Sequence, residues 1–243
     1  MDTSNTPTGT RLPWLRKIIR MGRSAWNHPA WPLALAALLI IGAIGIFSDL
    51  AEDVHTADHI TVVDLQMAKW LHAHATPSLT RVMLAVSTLH DPLSMSIFTV
   101  LLALFLRWRG QRDWLPGLLL VVPGGMLLNT LFKHVFERPR PFFSDPIVTL
   151  TSYSFPSGHV AGSTLFYGFV AALLISRTDS LARRAAIIAA ALLMVCLVAA
   201  SRMYLGAHFF SDVLAAFFEC FAWLGLCLLG VQVVRGRGAT PPR

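Results

Sequence analysis

The sequence predicts an all-α, polytopic membrane protein: a bundle of six membrane-spanning helices. Of its 243 residues, 55% are hydrophobic and only 14% are charged, whereas soluble domains carry about 25% charged residues. The apolar residues are concentrated in six runs, most of them close to the length with which a helix crosses a bilayer. The Lys and Arg residues collect in alternate connections between these runs, which is the charge pattern of a polytopic membrane protein.

The six apolar runs give the order of the predicted spans. They are Trp31–Phe47, Leu93–Leu106, Trp114–Leu131, Val160–Ile175, Ala185–Ala200 and Phe209–Val234. Several are shorter than the roughly 20 residues of a typical span, so we expect flanking polar residues at their ends. The second span begins at Leu93, or near Leu79 with a break at His90-Asp91-Pro92, because Pro92 lacks an N–H group and disfavours helix before it.

The spans divide the chain into three predicted parts. These are a basic segment over residues 1–30, a six-span domain over 31–234 and a tail over 235–243. No clean cleavage site precedes the first span, so we expect it to be an uncleaved anchor.

The distribution of charge predicts the orientation. The formal net charge is +7, and 14 of the 20 Lys and Arg residues lie on one side of the six-span arrangement, in the two termini and the second and fourth connections. By the positive-inside rule this side faces the cytoplasm. We therefore expect an inner-membrane protein with both termini cytoplasmic. The basic balance reflects topology and does not indicate nucleic-acid binding.

Three polar blocks fall on the opposite, periplasmic side, at the ends of four spans. The third block joins the last two spans and contains His208 and Asp212, which lie one helical turn apart on one face. A carboxylate at this spacing can fix the imidazole tautomer and leave the other ring nitrogen as a nucleophile. Arg202 lies in the same block. Taken alone, the His-Asp pair is also compatible with an ordinary helix-start contact.

The other two blocks supply cations and a helix N-terminus. Lys133 and Arg140 follow the third span, with Arg138 as a competitor for the position of Arg140. Before the fourth span, Ser157-Gly158 offers free backbone N–H groups where the helix dipole favours an anion. His159 adjoins them and can exchange a proton near neutral pH. Three cations with backbone donors match a phosphoryl group.

In order and spacing the blocks resemble the three-part signature of the type 2 phosphatidic acid phosphatase superfamily, which includes membrane lipid phosphatases, bacterial acid phosphatases and vanadium haloperoxidases. The matching positions are Lys133-x6-Arg140-Pro141, Pro156-Ser157-Gly158-His159 and Ser201-Arg202-x5-His208-x3-Asp212. The resemblance implies that His208 attacks phosphorus to form a phosphohistidine, that Asp212 orients His208, and that His159 exchanges protons with the leaving group and water. It implies that the phosphate is held by Lys133, Arg140, Ser157, Gly158 and Arg202.

The resemblance implies a lipid phosphatase whose active site lies at the periplasmic ends of the helices. The expected substrate is a lipid phosphate or diphosphate, with undecaprenyl diphosphate first by its frequency in the family. Phosphatidylglycerophosphate, phosphatidic acid and lipid A phosphates remain open. No carboxylate cluster suggests a metal site, so we expect no metal and no cofactor. The alternatives are a lipid phosphotransferase with the same intermediate, a vanadate-dependent haloperoxidase and a non-catalytic lipid-binding protein; the oligomeric state is open.

Two features lie outside the blocks. The segment Val62–Ala73 has apolar residues at helical spacing and is expected to form a helix along the outer interface. Glu219 lies inside the sixth span, where an ionisable group usually turns inward. We expect it to hydrogen-bond a neighbouring span, and we expect a similar structural contact for Asn129.

Overall fold

The fold is helical throughout the part of the chain that the structure describes. The computed structural model describes the backbone of residues 30–238 and the side chains of residues 33–230. In this range the chain forms eight α-helices, with a single 3₁₀ turn at Arg112–Trp114. They are α1 (Ala30–Thr56), α2 (His59–Ala73), α3 (Pro77–Leu89), α4 (Pro92–Trp108), α5 (Leu115–Phe136), α6 (Gly158–Ile175), α7 (Leu181–Tyr204) and α8 (Phe210–Gly238). The predicted fold class is confirmed.

The number of spans agrees with the sequence prediction when one bent pair is counted as a single span. Five of the described helices are long and apolar enough to cross a membrane. The helices α3 and α4 are long and apolar enough to cross a membrane only when taken together, with a bend of 49° between them. The first helix continues to Thr56, past the predicted end at Phe47, because the polar stretch that follows the apolar run remains helical.

The bend between α3 and α4 falls where the sequence predicts a break. Pro92 begins α4, and the side chain of Asp91 caps this helix by accepting a hydrogen bond of 2.7 Å from the backbone N–H of Ser94. His90 is buried at the bend and bonds through its two ring nitrogens to the carbonyl of Val86 and the hydroxyl of Tyr167, each at 2.8 Å. The bend is therefore fixed against α6.

Helix α6 lies at the centre of the core, where it packs against α4, α5, α7 and α8. Small residues let these helices approach closely. A Cβ atom at Gly125 would stand 2.6 Å from Leu165, and one at Gly168 would stand 2.5 Å from Leu224. The packing of α6 fixes its N-terminus beside the ends of α5, α7 and α8.

Helix α2 confirms the helix predicted over residues 62–73. It buries Asp64 and Ala68 and exposes Val62, Leu65 and Trp70. Its acidic residue thus faces the protein, while Val62, Leu65 and Trp70 share the outward side with the exposed polar residues Gln66 and Lys69. Its location along the outer interface stays a prediction.

The contacts of the chain separate residues 1–38 from residues 39–243 as two compact units. Of the first unit, only the start of α1 is described. The predicted basic segment lies outside the described residues except for Ala30, and the predicted tail is described as helical backbone as far as Gly238. All the site residues belong to the second unit.

Candidate active site

The eight predicted site residues lie at one end of the bundle. This end contains the C-terminal ends of α5 and α7 and the N-terminal ends of α6 and α8. The backbone N–H of Ser157 donates a hydrogen bond of 3.0 Å to the carbonyl of Asp212 and joins the second and third blocks directly. The side chain of Arg140 reaches His208 and joins the first block to the third.

Asp212 is wholly buried and held in one orientation. Its Oδ2 accepts hydrogen bonds from the hydroxyl of Ser154 and from the backbone N–H of Phe209, the latter at 2.8 Å. The same oxygen lies 3.4 Å from Nδ1 of His208, which has no hydrogen-bond partner among the described residues. The two side chains are therefore close, but His208 lies in the bend before α8, which begins at Phe210, so the predicted helical turn between them is wrong. A small movement of the ring completes the Nδ1–H···Oδ2 hydrogen bond.

The other ring nitrogen of His208 faces a cation. Its Nε2 lies 3.1 Å from Nη1 of Arg140. Because a guanidinium can only donate, this contact requires a lone pair on Nε2 and places the proton of the neutral ring on Nδ1. Burial lowers the pKa of His208 to about 3, although Asp212 opposes the shift. Nε2 is therefore an unprotonated nitrogen at neutral pH, as a nucleophile must be.

The burial of neutral His208 predicts a loss of stability in acid. An unfolded histidine has a pKa of about 6.5, whereas the pKa of His208 in the folded protein is about 3. Because the pKa is lower in the folded state, the contribution of His208 to the free energy of unfolding is complete above about pH 6.5. It is lost as the pH falls toward 3, by about 1.4 kcal/mol per pH unit.

We therefore expect the melting temperature of the wild-type protein in detergent to fall more steeply between pH 6.5 and 4 than that of His208→Gln, which cannot titrate. Thermal unfolding followed across this range measures the difference. Parallel curves for the two proteins would contradict the assignment of a buried, neutral His208.

Arg140 is bound to the surrounding backbone. Its Nη1 donates a hydrogen bond of 2.5 Å to the carbonyl of Ala207. Its Nε and Nη2 donate to the carbonyl and hydroxyl of Ser152, and Nη2 also reaches the carbonyl of Tyr153. These bonds fix the guanidinium beside Nε2 of His208, where an incoming anion would meet it.

Lys133 contacts backbone carbonyls in this structure. Its ammonium group donates to the carbonyls of Tyr153, Ser154 and Pro156 at 3.0, 3.4 and 2.5 Å. Since an ammonium has three protons, these bonds use its full donor capacity. Lys133 thus holds the segment that precedes α6, and contact with a phosphate would require it to exchange one of these bonds.

Arg202 is the predicted phosphate-binding cation with an unused donor. Its side chain is buried, and its Nη1 donates to the hydroxyl of Ser87 on α3. Its Nε has no hydrogen-bond partner among the described residues. A buried guanidinium N–H without a partner is unusual, and a phosphate oxygen would satisfy it.

The start of α6 has free hydrogen-bond donors where the sequence predicts an anion-binding terminus. Ser157 occupies the N-cap position, and the first bond within the helix joins the N–H of Ala161 to the carbonyl of Ser157 at 2.9 Å. The N–H groups of Gly158, His159 and Val160 therefore precede the hydrogen-bonded turns. The hydroxyl of Ser157 is buried without a hydrogen-bond partner in the described residues. These donors and the helix dipole favour an anion.

His159 is half-buried in the first turn of α6. Four groups lie within electrostatic range of its ring, namely Arg202, His208, Arg140 and Lys133. The second predicted histidine therefore belongs to the same site as the first. Its partial exposure leaves it accessible to a leaving group or to water.

The structure contains an ion-pair network behind Asp212 that the sequence analysis did not predict. Arg138 is nine-tenths buried and bridges two carboxylates, with Nη1 2.5 Å from Oδ1 of Asp212 and Nη2 2.8 Å from Oδ2 of Asp64. Ser211 connects the same groups, since its hydroxyl contacts Arg138 and Asp64 and its N–H donates to Asp64 at 2.9 Å. We call Asp64, Arg138 and Ser211 the carboxylate clamp.

From the sequence alone, Arg138 is only a competitor of Arg140 for the phosphate-binding position. In the structure Arg140 reaches Nε2 of His208, whereas Arg138 contacts the carboxylate of Asp212 from the side away from His208. A signal for Asp64 was present, because it is the one acidic residue inside the apolar helix predicted over 62–73. The contact between Asp64 and Arg138 could not be predicted from residue spacing, since the two residues lie 74 positions apart in the sequence.

Glu219 makes the predicted contact between spans. Its Oε2 accepts a hydrogen bond of 3.0 Å from Nδ2 of Asn129, so α8 is joined to α5 by two buried polar side chains. Asn129 lies one turn before Lys133, and its Oδ1 would stand 3.7 Å from a Cβ atom at position 158. The pair therefore lies directly below the site and supports it.

Comparison with known protein families identifies the class of protein to which the chain belongs. The model of the PAP2 superfamily matches residues 114–235, a range that contains every predicted site residue. The chain belongs to the PAP2 superfamily.

Two bacterial relatives resemble it in particular. Phosphatidylglycerophosphatase B of Bacillus subtilis (strain 168) is 37% identical over 110 residues, which are 44% of this chain and 53% of that protein. The alignment thus spans about half the length of this curated relative. The crystal structure of a transmembrane PAP2-type phosphatidylglycerolphosphate phosphatase from B. subtilis matches with a TM-score of 0.69 and 30% identity, over 84% of this chain and 98% of that one.

The structure of Aquifex aeolicus LpxE also matches, with a TM-score of 0.56 and 21% identity, over 69% of this chain and 95% of that one. At this identity the likeness shows a shared fold.

Proposed function

We propose that the protein is a lipid phosphatase that removes a terminal phosphate group through a phosphohistidine on His208. The observation that carries this proposal is the state of the His208 ring. Its Nδ1 faces a buried carboxylate, and its Nε2 is unprotonated beside Arg140. A nucleophilic nitrogen next to a cation is the arrangement needed to attack a phosphate that the same cation binds.

In the first step the lone pair on Nε2 forms a bond to phosphorus, and the bond from phosphorus to the lipid oxygen breaks. Arg140, Arg202 and the N–H groups at the start of α6 stabilise the charge that spreads over the phosphoryl oxygens. The negative phosphate favours the protonated form of His159, which gives its proton to the departing lipid oxygen. Asp212 stabilises the positive charge that develops on the ring of His208.

In the second step water attacks the phosphohistidine. His159, now neutral, accepts a proton from this water as the new oxygen–phosphorus bond forms. The bond from phosphorus to Nε2 breaks, the electron pair returns to His208, and inorganic phosphate leaves. The cations at the site are side chains, so the proposed reaction needs no divalent metal.

The relatives favour phosphatidylglycerophosphate as the first substrate to test, ahead of the undecaprenyl diphosphate that the sequence analysis placed first. Both B. subtilis relatives carry phosphatidylglycerophosphate phosphatase in their names. A phosphate monoester on a lipid also presents the dianionic group that the cations and the N-terminus of α6 can hold. We further propose the inner membrane as the location, with the site on the periplasmic face.

Phosphate release from a panel of lipids tests the proposal. The purified protein should release phosphate fastest from phosphatidylglycerophosphate, compared with phosphatidic acid, undecaprenyl diphosphate and lipid A phosphate. A chelator should leave the rate unchanged, and vanadate should inhibit it. Absence of release from every lipid in the panel would refute the proposal. Transfer of the phosphate to an added lipid alcohol in place of water would identify a phosphotransferase.

A further inference from the structure

A large apolar cavity lies at the end of the bundle opposite the candidate active site. It has a volume of about 660 Å³, is partly open to its surroundings, and is lined by α5, α6, α7 and α8, together with the 3₁₀ turn before α5. Along α6 it extends from Thr164 to Ser176. These positions correspond to about 18 Å of helix, somewhat more than half of the roughly 30 Å hydrocarbon core of a bilayer.

The cavity exists because its walls carry small residues. Gly117, Ala172 and Ala191 line it where larger side chains would fill the space. An empty apolar cavity of this size would be very costly, since the energetic penalty grows with the unfilled volume. Water is a poor occupant because the lining offers almost no polar groups. Among possible occupants, a hydrocarbon chain matches this apolar lining best.

The end of the cavity near the start of α5 is polar, and the connections beside it are basic. Asp113, Trp114 and Ser176 line it there, at the start of the α5 segment and the end of α6. The connections that flank this end, residues 107–113 and 176–184, hold six arginines and two aspartates, a formal charge of +4. Arg112 and Arg177 adjoin the lining residues directly in sequence and are both exposed. Basic pockets between membrane helices bind anionic lipid headgroups.

We propose that this cavity is a binding site for an anionic phospholipid, distinct from the candidate active site. One acyl chain fills the space between α5, α6, α7 and α8, and the phosphate of the headgroup lies against Arg112 and Arg177. The buried hydroxyl of Thr164, which lacks a hydrogen-bond partner among the described residues, closes the inner end. The lipid completes the packing of this half of the bundle.

Quenching of Trp114 by brominated lipids tests the proposal. The full-length protein is reconstituted in phosphatidylcholine nanodiscs with either brominated phosphatidylglycerol or brominated phosphatidylcholine at the same mole fraction. The difference between wild type and Trp114→Phe isolates the signal of Trp114. We expect brominated phosphatidylglycerol to quench this signal at least about threefold more strongly than brominated phosphatidylcholine.

Matched variants test the binding of the acyl chain and the binding of the headgroup separately. Ala191→Phe and, as a milder second variant, Ala172→Leu should abolish the selective quenching by filling the cavity, whereas Ala190→Phe on the exposed face of α7 should not. The double variant Arg112→Gln/Arg177→Gln should equalise quenching by the two lipids, and Arg81→Gln near the other end should preserve the preference. Equal quenching by both lipids in the wild type, or selective quenching that survives Ala191→Phe and Ala172→Leu, would overturn the proposal.

Discussion

Replacement of His208 by Gln is expected to lower kcat for phosphate release by at least about 10⁴-fold, the size of effect seen when a covalent nucleophile is removed. Glutamine keeps much of the side-chain volume in a site that is only 2% exposed. It has no ring nitrogen with a free lone pair, so it cannot form the bond to phosphorus. Phosphate release and trapping of phosphorylated protein with radiolabelled substrate measure the two consequences.

His134→Gln provides the matched control. His134 lies one residue after Lys133, at the same end of α5, and its ring is exposed and packs edge-on against Tyr153. It contacts none of the proposed phosphate-binding groups, so its replacement should leave kcat within about twofold. Normal turnover by His208→Gln, or labelled phosphate retained on that variant, would show that His208 is not the nucleophile.

The parts of the site that the sequence predicted are those set by local geometry. Ser157 to His159 begin a helix, so their mutual positions follow from helix capping. His208 and Asp212 are only four residues apart and therefore lie close, although His208 precedes α8 and the predicted helical turn between them is not present. The topology of the spans then placed Lys133, Arg140 and Arg202 at the same end. The break before Pro92 was predictable because proline acts on its immediate neighbours.

The parts that were missed depend on packing between distant segments. Arg138 meets Asp64 because α2 packs against the start of α8, and nothing in the spacing of residues determines that contact. The carbonyls bound by Lys133 belong to the irregular segment 153–156, whose path no periodic pattern describes. Likewise, the cavity lined by α5, α6, α7 and α8 depends on small residues of α5, α6 and α7, and sequence periodicity does not determine how these helices are rotated relative to one another.

Arg138→Met is expected to be the most destabilising single substitution at the site. Methionine fills a similar volume but removes the charge between Asp64 and Asp212, both of which are buried with at most 1% exposure. Removal of one member of a buried ion pair leaves an uncompensated charge, at a cost of about 3–5 kcal/mol. Here two carboxylates lose their shared partner at once. Thermal unfolding in detergent, with the exposed Arg81→Met as control, measures the loss.

A double-mutant cycle with Asp64→Asn tests whether the carboxylate clamp acts as a unit. When Asp64 is neutral, Arg138→Met leaves only one uncompensated carboxylate, so the two substitutions together should destabilise less than the sum of their separate effects. The expected coupling is about 1–3 kcal/mol. Additive effects would indicate that Asp64 and Arg138 contribute to the fold independently.

The kinetics of Arg138→Lys distinguish positioning of Asp212 from general stabilisation of the fold. A lysine retains one charge but cannot bridge both carboxylates with two fixed N–H groups. Asp212 should then hold the His208 ring less firmly, and kcat should fall about tenfold or more. KM and inhibition by vanadate should change little, because Arg138 faces away from the proposed phosphate position. A parallel loss of kcat and vanadate affinity would instead mean that the whole site has loosened and that the clamp is structural support alone.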